Sequence, residues 1–190
     1  HKEYRRQRQM CIRDRTKGAF HCIIGESGSG KSLLTRTILG MKRPQLCYQG
    51  DIDIDLTKTD AVFQDVQSNM FQNITLVKHF QYIYEANRTH LTKQCIKEDV
   101  LQMMQLLGLR QGEHLLERYP FELSGGMAQR VAFIMSLIRR PDYLFLDEPT
   151  SALDQGNVKR FMHYLLKAQE RYQMTIVFIT HDINLSLIHI

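Results

Sequence analysis

The chain has 190 residues, 43% of them hydrophobic and 24% charged, with a formal net charge of +5. That composition suits a single domain around a sizeable core and excludes repeat and low-complexity architectures. The longest apolar run, Val131–Ile138, falls well short of the roughly 18 residues a membrane-spanning helix needs, so any membrane-spanning role belongs to other chains.

The positive charge is concentrated at the start: Lys2, Arg5, Arg6, Arg8, Arg13 and Arg15 stand against only Glu3 and Asp14. The rest of the chain is nearly neutral, which argues against a nucleic-acid partner. Cys11, Cys22, Cys47 and Cys95 are irregularly spaced, with no CxxC pair and no Cys/His cluster. They read as reduced thiols of a cytoplasmic protein rather than as a metal site.

In chain order, Ala19–Ile24 is a nearly continuous apolar run and predicts a strand covered on both faces. It leads into Gly25-Glu26-Ser27-Gly28-Ser29-Gly30-Lys31-Ser32, which fits the phosphate-loop pattern GxxxxGK[ST]. Glycines there let successive N–H groups converge on phosphate oxygens, and a following helix adds its positive end. Lys31 is placed to neutralise β- and γ-phosphates, and the Ser32 hydroxyl to coordinate Mg²⁺. A helix is expected over Lys31 to Met41.

From about Asn73 to Leu116 the apolar residues fall at helical intervals, as in Val77, Phe80 and Tyr84, then Ile96, Val100, Met103 and Met104. Gly108 suits a helix end. This stretch predicts a helical subdomain, about 73–125, inserted into an α/β core. Ser124-Gly125-Gly126 precedes a helix expected over Met127–Arg139, presenting N–H groups and a hydroxyl at its start. Tyr143–Leu146 predicts a second buried strand, ending in Asp147 and Glu148. Beside a phosphate loop, Asp147 is suited to hold Mg²⁺ and Glu148 to polarise an attacking water. Val158, Phe161, Met162, Leu165 and Leu166 predict a helix, Thr175–Thr180 a third strand, and His181 follows it. Strands alternating with helices indicate an α/β fold with a mainly parallel sheet, here a phosphate-loop NTPase core.

Leu123-Ser124-Gly125-Gly126-Met127-Ala128-Gln129-Arg130 closely resembles the signature motif of the ABC ATPases. With Gln64, Pro149, Ser151-Ala152-Leu153-Asp154 and His181 in family order, the resemblance spans roughly residues 19–184. It implies an ATP-hydrolysing subunit of an ABC transporter, peripheral on the cytoplasmic face of the membrane. By position, Gln64 matches the glutamine that contacts Mg²⁺ and links the core to the helical subdomain. Asp154 matches the aspartate that crosses a dimer interface, and His181 matches the histidine that senses the γ-phosphate. The resemblance further implies a head-to-tail dimer. In it the phosphate loop of one subunit and Ser124-Gly125-Gly126 of the other clamp one ATP. Transmembrane permease subunits would dock beside Gln64, and a solute-binding protein would deliver cargo.

Glu117-Arg118-Tyr119-Pro120 leading into Leu123-Ser124-Gly125-Gly126-Met127 is similar to the ATPases of oligopeptide, dipeptide and nickel importers. A soluble ABC ATPase of DNA repair or translation is the alternative, but no zinc motif, coiled-coil insertion or tandem cassette supports it. A non-hydrolysing regulatory module is disfavoured because Glu148 and His181 are both present. The ends depart from the family. No strand bearing an adenine-stacking aromatic precedes the loop, and Tyr4 lies at a suitable distance in an unsuitable context. Met10–Arg15 and Leu185–Ile190 resemble translated sequencing-adapter read-through. Residues 1–15 and 185–190 are therefore expected to be non-native tails on an incomplete domain over 16–184.

Overall fold

A computed structural model of the chain describes residues 18–87, 91–151 and 153–182. Tyr4 and the expected tails at 1–15 and 185–190 lie outside them. Four strands, β1 (Phe20–Ile24), β2 (Thr59–Val62), β3 (Tyr143–Asp147) and β4 (Thr175–Thr180), form one sheet in the order β1-β4-β3-β2. Every neighbouring pair is parallel. The helices are α1 (Lys31–Ile38), α2 (Leu76–Ala86), α3 (Lys93–Leu106), α4 (Gly112–Leu116), α5 (Gly125–Ile138) and α6 (Gln155–Tyr172).

Successive side chains of a strand face opposite ways, so the central strands feed two cores. Leu144 and Leu146 of β3 join Ile176 and Phe178 of β4 in the larger cluster, with Phe133 and Ile134 of α5 and Phe161 and Leu165 of α6. Phe145, Val177 and Ile179 face the other way, toward Ile38 at the end of α1. β4 is buried throughout. Such continuous burial requires a run with no polar alternation, which Thr175–Thr180 provides.

β1 departs from the expectation of full cover. Among the described residues it sits at a sheet edge, with Phe20–Ile23 half-buried and Ile24 exposed. β2 is the strand that the apolar runs do not reveal. Thr59-Asp60-Ala61-Val62 is short and half polar, and among the described residues it pairs only with β3, at the opposite edge. The phosphate-loop helix ends at Ile38 rather than Met41, where Gly40 takes a left-handed φ of 77°.

The middle of the chain is helical as its periodicity predicts. Leu76, Phe80 and Tyr84 of α2 and Ile96, Val100, Met103 and Met104 of α3 are buried. They belong to the same continuous cluster as the inner face of the sheet. α5 is the connecting element, packing against α2, α3 and β2. Because all four strands are parallel, their C-terminal ends share one edge of the sheet. In open α/β sheets that edge is where ligands bind.

Candidate functional site

β1 ends at Ile24, and the chain turns through Gly25–Gly30 into α1. The Gly25 N–H donates to the Thr180 carbonyl at 3.4 Å, tying the loop to the end of β4, and the Ser29 N–H donates to the Glu26 carbonyl at 3.1 Å. Gly28 and Gly30 have φ of 76° and 91°, and a Cβ at either would meet nothing within 4 Å. Conformation rather than crowding therefore requires glycine there. Gly30 caps α1, so the first-turn N–H groups of Lys31 and Ser32 lack intrahelical acceptors. Backbone donors and the positive end of the helix coincide at this point.

Lys31 is only 8% exposed. Its Nζ donates to the carbonyls of Gly25 at 2.6 Å and Glu26 at 2.9 Å and lies 3.7 Å from Glu148 Oε1. Glu148 Oε2 lies 2.8 Å from His181 Nδ1. One carboxylate thus joins side chains from α1 and from the ends of β3 and β4. Glu148 holds a left-handed φ of 50° while its N–H donates to the Ile179 carbonyl at 2.9 Å. For a non-glycine residue this conformation costs on the order of 1 kcal/mol or more, strain of the kind that gathers at functional sites.

Asp147, the last residue of β3, is 4% exposed, and its Oδ1 has no hydrogen-bond partner. Ser29 Oγ is also buried without one. Orphaned buried polar atoms are rare and costly, so two beside a glycine loop mark a place prepared for a polar ligand. Ser32 is exposed in the first turn of α1. Gln64 follows β2 and reaches the Ser151 hydroxyl at 3.5 Å from its Nε2. Hydroxyl, carboxylate and amide oxygens are the hard donors that suit Mg²⁺. The residues present therefore fit a magnesium–polyphosphate ligand.

The second glycine motif stands apart. Ser124 is the N-cap of α5, its hydroxyl makes no capping bond, and both Ser124 and Gly125 are exposed. The helix begins at Gly125, two residues before the expected Met127. Gly125 and Gly126 are thus its first turn rather than a loop ahead of it. A Cβ at Gly126 would stand 2.9 Å from Leu153 Cδ2, so close packing also favours glycine there. Among the described residues, no hydrogen bond or ion pair joins Ser124–Gly126 to Lys31, Glu148 or His181. Asp154 is the N-cap of α6 and accepts from Asn157 N at 3.0 Å and Nδ2 at 2.5 Å. Those bonds hold its carboxyl below the usual range.

Two long-range contacts escape a reading of the sequence. Ser151 meets Gln64 across 87 residues, and Gln67 Nε2 donates to the Leu123 carbonyl at 3.2 Å across 56. No spacing rule signals such long-range pairs.

The family description "ABC transporter" matches residues 14–151. The chain is 31% identical over 188 residues to the dipeptide transport ATP-binding protein DppD of Lactococcus lactis subsp. cremoris, covering 90% of this chain and 54% of that one. It is 34% identical over 172 residues to the ergothioneine transport ATP-binding protein EgtV of Helicobacter pylori, covering 87% and 78%. It spans about half the length of the dipeptide and oligopeptide relatives it matches. The dimeric structure of MJ0796, a bacterial ABC transporter cassette, has a TM-score of 0.73 at 28% identity, covering 90% of this chain and 78% of that one. A second MJ0796 dimer, in a post-hydrolysis state bound to ADP and Pi, has a TM-score of 0.72 at 29% identity. With the match extending over well more than half of its length, the chain belongs to the ABC transporter family.

Proposed function

We propose that this chain binds and hydrolyses ATP as the peripheral, cytoplasmic-face subunit of an ABC importer for peptides. The observation that carries the reading is the Lys31–Glu148–His181 cluster at the carboxyl edge of the sheet, directly below the glycine loop. The loop N–H groups and the start of α1 bind the phosphates, and Lys31 neutralises their β/γ charge. A polyphosphate competes with Glu148 and the two loop carbonyls for the Lys31 ammonium. Ser32, Gln64 and Asp147 would hold Mg²⁺, which would supply charge neutralisation at the phosphate oxygens. Glu148 accepts a proton from the attacking water as its oxygen bonds to the γ-phosphorus. The bond from that phosphorus to the β-phosphate oxygen breaks, giving ADP and phosphate. His181 orients the Glu148 carboxylate through the 2.8 Å contact.

The peptide reading is supported by the names of the relatives DppD and AmiE, the oligopeptide transport ATP-binding protein of Streptococcus pneumoniae. Nickel is the other cargo class the sequence resembles. Ser124 and Gly125 stand exposed at the start of α5, with Gly126 half-buried beside them, and among the described residues none of the three bonds to Lys31, Glu148 or His181, which supports their serving the nucleotide of a second subunit. Asp154 is proposed to meet that subunit as well. A groove of about 210 Å³ beside β2 and α5, lined by Asp60, Phe63, Met70, Ile83 and Arg139, is proposed to receive the permease. Among the described residues no helix is long and apolar enough to cross a membrane, so transport requires such a partner. Residues 73–125 are proposed as the inserted helical subdomain, and a solute-binding protein as the cargo donor.

Nucleotide affinity and turnover, measured separately, test this reading. Lys31→Ala is expected to weaken ATP binding. Glu148→Gln is expected to retain binding while turnover drops by about a hundredfold or more. Turnover near the parent rate in Glu148→Gln overturns the assignment of the base.

A further inference from the structure

Away from the Lys31–Glu148–His181 cluster, the protein carries a second concentration of donors. A cleft of about 580 Å³ opens between the turn after α3, the first turns of α5 and the first half of α6. Arg110, Arg130 and Arg160 line it with Asn157, Tyr164 and Met127, and no lining residue is acidic. Arg130 is anchored: its Nε donates to the Gly126 carbonyl at 2.9 Å and its Nη1 to the Gly108 carbonyl at 3.4 Å. Tyr164 packs so closely on Gly108 that a Cβ there would lie 2.1 Å from its hydroxyl oxygen. This wall of the cleft is therefore fixed.

Among the described residues no carboxylate lines the cleft beside these charges. Among the described residues, Arg110 and Arg160 enter no ion pair and no hydrogen bond. The nearby Asp154 carboxylate is engaged by Asn157 and does not line the cleft. Burial, outweighing the opposing effect of Tyr164, holds the Arg130 guanidinium below its ordinary value, and the Arg160 charge adds a smaller push in the same direction. Guanidinium groups lining one cleft with no carboxylate among its lining residues give it a positive potential that favours an anion. Their planar forks match phosphate oxygens two at a time. Met127 and the Tyr164 ring add an apolar wall suited to the organic part of a ligand.

We infer that the Arg110–Arg130–Arg160 cleft binds the phosphate group of a small organic phosphate at a site separate from the glycine loop. The inference does not rest on ATP hydrolysis, and the experiment keeps the two apart. In a Lys31→Ala background, equilibrium dialysis against labelled pyrophosphate is expected to show one saturable site, displaced by inorganic phosphate. ATP as a second competitor tells whether nucleotides share it. Adding Arg110→Gln and Arg160→Gln is expected to weaken that site by at least about tenfold, the loss of one or two charge-assisted hydrogen bonds. These two side chains are exposed, so the melting temperature without ligand should be unchanged. Absence of a saturable site, or an affinity indifferent to both arginine substitutions, overturns the proposal. So does an equal loss of ATP affinity when the two substitutions are made in the parent chain, because the cleft would then be part of the loop site.

Discussion

Asp60 shows how a single residue ties groove chemistry to stability. It lies at the β2 edge, accepts from the Ala61 N–H at 2.8 Å, and faces Arg139 at 3.7 Å. Burial pushes its carboxyl above the ordinary value of 3.8, outweighing both the Ala61 bond and the Arg139 charge, which pull the other way. A carboxyl with a raised folded value binds its proton more tightly in the folded than in the unfolded state. Its contribution is therefore full below about pH 3.8 and is lost as pH rises through the folded value. The stability difference between the parent and Asp60→Asn should accordingly shift against the parent as pH rises from about 3 to about 6. Urea midpoints of both proteins across that range measure it, and parallel curves would remove Asp60 as the source.

At the scale of elements, the start of α6 combines two duties that substitution can separate. Asp154 caps the helix by accepting from Asn157, and it is also the proposed interface aspartate. Asparagine caps a helix about as well as aspartate, whereas alanine does not. Asp154→Ala should therefore lower the melting temperature of the isolated chain, and Asp154→Asn should leave it nearly unchanged. If Asp154 also meets a second subunit through its charge, Asp154→Asn should still weaken ATP-dependent dimerisation, read by sedimentation. A fully normal dimer in Asp154→Asn would leave the residue as a cap alone.

At the scale of the whole molecule, the lack of any hydrogen bond or ion pair from Ser124–Gly126 to Lys31 among the described residues makes complementation the informative measurement. Under the proposed shared site, Ser124→Arg would damage what a subunit offers its partner, and Lys31→Ala what it does for itself. Neither variant alone should hydrolyse ATP well. A mixture forms some dimers in which one loop and one signature segment, from different chains, are both intact, so turnover should return. Turnover that stays absent in the mixture, with dimers demonstrably formed, would argue against a shared site.

Local sequence determined the parts of this protein that depend on local physics. The loop from Gly25 to Ser32 is legible because φ values of 76° and 91° demand glycine at fixed positions. β3 and β4 are legible because strands buried on both faces need unbroken apolar runs. The α2–α3 stretch is legible because its buried faces repeat at the helical period. β2 left no such trace, since an edge strand needs no apolar run to be paired on one side. Tertiary structure alone decided that Glu148 bridges Lys31 and His181, that Gln64 meets Ser151, and that three arginines from separate elements line one cleft. Those meetings join residues far apart in the chain, and only the stacking order of the sheet and the packing of α5 set their distances.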